Sequence, residues 1–303
     1  MDVLCVGHAA WDINLFLDGF PPENSKCEIR AMLECGGGPA ANAAYLLSRW
    51  GVSCGIAAAI GDDAYGQRII DEFLAVGADG SLLERSPDHP TPVSVILVNR
   101  LSGSRTIVNR KAIRPAMSLR LPAPSAQHAA PRVLLFDGHE LEASLAAMEH
   151  FPEAVTILDA GSLRDGTREL AKRVRFLVGS ERFARQLSGV PDLESPAHQA
   201  RAIAALHAQN GNPVAITRGE HGMLYGTGDG MEQLPAFPVQ TVDTTAAGDI
   251  FHGAFAYGVL RGLSDRETLR LAAAAAALSV TAPGGRTSIP ALPQVEELLR
   301  HGR

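Results

Sequence analysis

Short apolar runs closed by Gly or Asp recur along this chain. Val3 to Gly7 reads V-L-C-V-G, Cys54 to Ile60 is a second run, and V-L-L-F-D, V-T-I-L-D, F-L-V and V-A-I-T follow from Val133 onward. Continuous runs of this kind mark strands buried on both faces rather than on one. Helical stretches separate them. One is Ala/Leu-rich and ends at Gly51, one is amphipathic and runs through Val76, and others lie around residues 141–150, 164–173, 181–188 and 196–210. The alanines from Ala272 to Ala277 fall inside a further helix, where small side chains favour close packing. The alternation predicts an α/β fold in three layers, α/β/α, with a mostly parallel central sheet covered on both faces.

A second pattern interrupts the first. Thr91 to Val98 and Arg105 to Asn109 alternate and are rich in β-branched residues, with the turn L-S-G-S between them. That is a hairpin signal. Phe16 to Glu34, broken by Pro21 and Pro22, predicts strands and turns that leave the core. No internal repeat or low-complexity linker divides the chain, so one domain over residues 1–303 is expected.

Composition narrows the function classes. At 303 residues and 46% hydrophobic the chain can bury a large core. A formal charge of −6 argues against a general nucleic-acid or membrane-surface binder. There is no apolar run long enough to span a membrane. The start, M-D-V-L-C-V-G, lacks the basic residues and cleavage site of a signal peptide. Cys5, Cys27, Cys35 and Cys54 show no C-x-x-C spacing, which suits free thiols in a reducing cytoplasm and disfavours a zinc site.

The densest chemistry lies in Val242 to Phe255, V-D-T-T-A-A-G-D-I-F-H-G-A-F. Ala246, Ala247 and Gly248 leave their backbone N–H groups open to close approach, and the helix that follows points its unpaired amides at the same spot. The arrangement suits a phosphate or a developing oxyanion, with Asp249 at its edge to accept a proton. The plainer alternative is a helix start capped by Thr244 or Thr245.

D-T-T-A-A-G-D resembles the D-T-x-G-A-G-D signature of the PfkB (ribokinase-like) carbohydrate kinases, with Ala246 in place of the first glycine. The resemblance extends along the chain in family order. Gly37, Gly38, Asn42 and Ala44 match G-G-x-x-x-N-x-A, and Asp12 closes G-x-x-x-x-D. Thr217, Gly219 and Gly222 match T-x-G-x-x-G, and Val280 to Pro290, with Gly284, resembles the loop flanking adenine.

The resemblance implies a ribokinase-like fold carrying a small β-sheet lid built from residues 13–35 and 90–112. It makes Asp249 the catalytic base, with Ala246, Ala247 and Gly248 around the transferring group. Asp12, Gly37, Gly38 and Asn42 would hold the sugar, and Asn109 and Lys26 would approach it from the lid. Thr217, Gly219, Gly222, Thr244 and Gly284 would contact ATP. Backbone carbonyls of Asp243 and Thr245 would hold a monovalent cation such as K+, Mg2+ would accompany ATP, and the strand Val93 to Val98 would allow a homodimer through the lid. Gly61 to Gly66, G-D-D-A-Y-G, is read as structural.

One departure stands out. The N-x-x-E motif of many relatives is replaced by G-S-E-R-F-A, with Ser180 and Phe183 at the key positions and Glu181 beside them. That points to the ketohexokinase-like and sulfofructose-kinase branches. Lys26, Asn109, Arg110 and Lys111 fall in or near the lid, as ligands for an anionic sugar substituent or as solvated surface charge. His139 stands where a kinase of sulfonated sugars would carry an arginine, which favours a neutral ketose. The alternatives are an anionic sugar, a nucleoside, or a non-catalytic sugar- or nucleotide-sensing protein. G-H-A-A-W-D after the first strand speaks against a dinucleotide-binding oxidoreductase.

Overall fold

The computed structural model describes residues 1–111, 113–119, 121 and 130–302. Their strands form two sheets. The large one has the order β13-β12-β11-β10-β9-β8-β1-β4-β5, and the small one β3-β2-β6-β7.

The predicted apolar runs are the centre of the large sheet: β1 (Val3–Val6), β4 (Cys54–Gly61), β8 (Val133–Phe136), β9 (Val155–Ala160), β10 (Phe176–Ser180) and β11 (Val214–Thr217). All of these pair in parallel. Alternate residues serve opposite faces, as the strand period requires. Val3 and Cys5 pack under α1 (Pro39–Arg49), α2 (Ala64–Ala75), α7 (Ala247–Leu260), α8 (Asp265–Ser279) and α9 (Leu292–His301). Leu4 and Val6 face α3 (Leu141–His150), α4 (Asp165–Ala171), α5 (Glu181–Ser188) and α6 (Pro196–Asn210). The alanine run is a packing surface as expected: Ala272, Ala274 and Ala275 are fully buried. Gly258 of α7 meets Thr268 of α8 so closely that any side chain there would clash. Among the described residues, no helix is long and apolar enough to cross a membrane.

Three strands escaped the sequence pattern. β5 (Asp79–Ser86) is a half-exposed edge strand with five polar or charged side chains beside Gly80. β12 (Met223–Thr227) and β13 (Gly230–Leu234) form an antiparallel hairpin on the opposite edge. Edge strands carry little apolar patterning because only one side of their ladder is covered.

The small sheet comprises β2 (Ala10–Leu17), β3 (Ala31–Gly37), β6 (Val93–Asn99) and β7 (Arg105–Arg110). Its boundaries correct the expected lid of 13–35 and 90–112: the first strand begins at Ala10, the second runs to Gly37, and residue 112 lies outside the described residues. Asp12 belongs to β2 of the small sheet. The strand Val93 to Val98 is an inner strand of this sheet. It lies between β2 and β7, with Ile96 and Val98 buried against Phe16 and Leu33. Exposed apolar side chains of this sheet are Met32, Ile107 and Val108, on its two edge strands.

The G-D-D-A-Y-G stretch is structural. Asp63 caps α2 by accepting from the Gly66 N–H at 2.9 Å, and it accepts from the Thr91 hydroxyl and N–H at 2.7 and 2.9 Å. One carboxylate thus ties the start of a helix to the start of a small-sheet strand.

Candidate active site

Asp12 lies in a row across the small sheet, in register with Cys35 on one side and Ser94 on the other, and Ser94 pairs in turn with Asn109. Paired residues share a face, so Asn109 lies in the same row as Asp12. The Asp12 carboxylate is 7% exposed and rests on Gly37, where any Cβ would fall inside it. Burial pushes Asp12 up to about 6, partly offset by the Ser94 hydroxyl and the Arg286 guanidinium.

Gly38 turns the chain from β3 into α1. Its φ is +97°, and a side chain would strike the His8 carbonyl, so glycine is required there. Pro39 opens the helix, and Asn42 follows in its first turn, 2% exposed. The Asn42 amide donates to Asp249 Oδ2 at 2.7 Å. That hydrogen bond joins the N-terminal and C-terminal motifs across 207 residues.

α7 begins at this point. Ala246 is its cap in the left-handed region, at φ +60° and ψ +7°. The expected cradle of three N–H groups is smaller than the sequence suggested. Ala247 N–H donates to the Thr244 carbonyl at 3.3 Å to close the turn, whereas Ala246 and Gly248 N–H find no partner among the described residues. A Cβ built on Gly248 would meet nothing within 4 Å, so open space lies beside its amide. Asp249 is half-buried at the edge of that space. Burial, and then the carboxylate of Asp159, push it up to about 8, against the Asn42 hydrogen bond.

Ala246 occupies a conformation that costs an L-residue about 1–2 kcal/mol. Ala246→Gly is therefore expected to stabilise the protein by about 0.5–1 kcal/mol, after the extra chain entropy of glycine, with activity retained. Urea unfolding checks this, and an unchanged or lowered midpoint would contradict it.

The loops around α7 are tied together. Asp243 is buried and accepts from Thr245 N–H and Gly284 N–H, both at 2.8 Å. Thr245 Oγ1 is buried without a partner among the described residues. Arg105 of β7 donates to Thr244 Oγ1 at 2.6 Å, so the small sheet touches the turn before α7. Gly284 takes φ +84° and lies against Leu33.

Thr217 ends β11, and Gly219 and Gly222 bound the single turn Gly219–His221 that follows. This turn lies along the same carboxyl edge of the sheet, beyond β9 and β10. Gly222 abuts the Leu234 carbonyl of β13, which accounts for it structurally, while the space beside Gly219 is open. Ser180 caps α5, accepting from Phe183 N–H at 3.1 Å, and Phe183 is fully buried. Lys26 lies exposed in the connection between β2 and β3, and no contact joins it to the other site residues among those described.

Several residues at the site were missed from sequence. Arg286 is 2% exposed, with its guanidinium 5.0 Å from the Tyr45 ring centre and 4.7 Å from that of Phe73. It donates to Asn42 Oδ1 at 3.2 Å and forms an ion pair with Glu72, which accepts from Gly36 N–H at 3.0 and 3.1 Å. His252, one turn after Gly248, is buried with Nδ1 2.7 Å from the Gly248 carbonyl and 3.2 Å from Asp159 Oδ2. The signal for both was a charged or titratable residue inside an otherwise apolar or glycine-rich stretch.

A carboxylate held by an amide lies beside unpaired helix N–H groups, with a second carboxylate in the small sheet, an arrangement that suits phosphoryl transfer to an alcohol. The chain belongs to the pfkB family of carbohydrate kinases, whose profile matches residues 1–292. It is 26% identical to the deoxyribokinase of Salmonella typhimurium, over 99% of both chains. A putative ribokinase from Agrobacterium tumefaciens superposes with a TM-score of 0.85 at 30% identity, covering 98% of this chain and 97% of that one. The Arabidopsis thaliana ribokinase complexed with ribose and ATP superposes with a TM-score of 0.80 at 25% identity, covering 98% of each.

Proposed function

We propose that this kinase transfers the γ-phosphoryl group of ATP to a hydroxyl of a small, ketose-like sugar, with Asp249 as general base. The observation that supports it best is the Asn42–Asp249 hydrogen bond beside the open Gly248 amide. Asp12 accepts from sugar hydroxyls, which a buried carboxylate does at several points at once. Asn42 engages one Asp249 oxygen and leaves the other to take the proton of the attacking hydroxyl. Gly248 N–H, with the positive end of α7, stabilises charge on the transferring group. ATP, as its magnesium complex, supplies that group and spreads its charge over the metal. The Arg105–Thr244 contact holds the small sheet down as a lid and keeps water from the site.

The carbonyls of Asp243 and Thr245 are assigned a monovalent cation, supported by the unpartnered Thr245 hydroxyl. ADP release with Mg-ATP and a sugar panel, in potassium and in tetramethylammonium salts, tests the whole reading. A substrate-independent rate would overturn the kinase mechanism, and equal rates in the two salts would overturn the cation alone. Gly248→Ala adds a methyl group where nothing collides, so the fold should be unchanged. Turnover should still fall about 100-fold, because the methyl occupies the cradle. A variant that folds and keeps its rate would place the phosphoryl group elsewhere.

A further inference from the structure

A buried pair beneath the first turn of α7 has no part in the mechanism above. Asp159 is the last residue but one of β9. It shares a face of the sheet with Ile157, two residues before it, which packs in the core on the α7 side. His252 stands three residues after Asp249, so the two are neighbours on the surface of α7. His252 and Asp159 are both buried, with His252 Nδ1 3.2 Å from Asp159 Oδ2.

The contacts of the ring decide its charge. Nδ1 also lies 2.7 Å from the Gly248 carbonyl, and Nε2 lies 3.2 Å from the Val178 carbonyl of β10. A backbone carbonyl only accepts, and a neutral imidazole has one N–H and one bare nitrogen. With the proton on Nδ1 alone, Nε2 sets a lone pair against the Val178 carbonyl. With it on Nε2 alone, Nδ1 does the same against Gly248. Moving the second proton onto Asp159 leaves one of these oppositions in place. Only the imidazolium donates at every contact, and the Asp159 carboxylate then supplies its counter-charge inside the core.

Other charges reach the pair and the base beside it. Burial pushes Asp159 up, against the attraction of His252, while Asp137 raises it further and Arg164 lowers it. Asp137 already accepts from the backbone N–H groups of His8, Ala40 and His139. After burial, Asp159 is the largest influence holding Asp249 up, and Asp12 and Arg105 act on it in opposite directions. α1 contributes the uncharged Asn42 amide, and α8 presents Thr268 to Gly258 of α7.

We infer that Asp159 holds His252 as an imidazolium, and that this buried ion pair is a positioning device that sets how readily Asp249 takes up and releases a proton. The inference rests on Asp249 being the base, as proposed above. The pair acts through charge. Asp159 repels an ionised Asp249, and His252 offsets that repulsion from one turn along the same helix. The balance keeps Asp249 basic enough to take the proton of the acceptor hydroxyl and still able to ionise.

The test follows the Asp249 carboxyl by carbon NMR as pH is varied, in the protein free of substrate, with its signal assigned by its loss in Asp249→Asn. Asp159→Asn removes the repelling carboxylate, and the titration midpoint should move down by about one pH unit. His252→Asn keeps an N–H for the Gly248 carbonyl but carries no charge, so the uncompensated Asp159 should move the midpoint up by about one unit. A pair that only packs and hydrogen-bonds moves neither. Nitrogen NMR of the unsubstituted protein gives a reading that depends on no variant folding well: both His252 ring nitrogens should be protonated at neutral pH. A bare ring nitrogen, midpoints that stay put, or midpoints that move in the same direction overturn the inference and leave Asp249 as the base. The base assignment fails separately, if Asp249→Asn keeps its rate of ADP release with the sugar panel.

Discussion

Asp249→Asn is expected to lower kcat by about 10²–10⁴-fold while ATP binding is retained, because a positioned general base contributes that much. Asparagine keeps an oxygen for the Asn42 amide, so the local hydrogen bond survives and only the proton acceptor is lost. The same substitution carries a stability signature of opposite sign. Asp249 binds a proton in the folded protein up to about 8, against an ordinary value of 3.8, so between those pH values the native state holds the proton that the unfolded chain has released. Stability contributed by this group therefore falls as pH rises from about 4 to 8. Asp249→Asn removes the burden, and its melting temperature should exceed that of the parent most clearly at pH 8 and above. In the parent enzyme kcat/KM should rise with pH up to about 8, since only the ionised carboxylate accepts the proton. A variant that turns over at half the parent rate would remove Asp249 from the mechanism.

Arg286→Ala is expected to cost about 3 kcal/mol of stability, toward the lower end of the range for breaking a buried ion pair. The lower end applies because Glu72 keeps 25% of its side chain exposed and can recover some solvent. Arg286→Met separates the two roles of this residue. Methionine refills the space between Tyr45 and Phe73 and should restore much of the urea midpoint. It does not restore the bond to Asn42 Oδ1, which keeps the amide turned toward Asp249. The KM for sugar should therefore stay raised by about tenfold or more. A methionine variant with normal KM would reduce Arg286 to a structural residue.

Much of this molecule was legible before any coordinates, for local reasons. Strands buried on both faces leave unbroken apolar runs, so β1, β4, β8, β9, β10 and β11 were readable from composition alone. Gly38 was readable because a backbone with no room for a side chain leaves glycine in the sequence. β5, β12, β13 and α9 were not readable, since edge strands and a terminal helix bury only part of their surface.

The chain by itself determined the alternation of buried strands and helices, the motifs with their internal spacing, and Asp249 as the candidate base. Those properties depend on residues a few positions apart, within one turn or one strand. Only the tertiary structure decided the partners. Asn42 meets Asp249 across 207 residues and Arg286 meets Glu72 across 214. Asp12 proved to sit in the small sheet, and His139 to stand between two cations. Such contacts are created by chain crossing, and hydrogen bonds and charge act through space, so no local pattern encodes which distant side chain completes them.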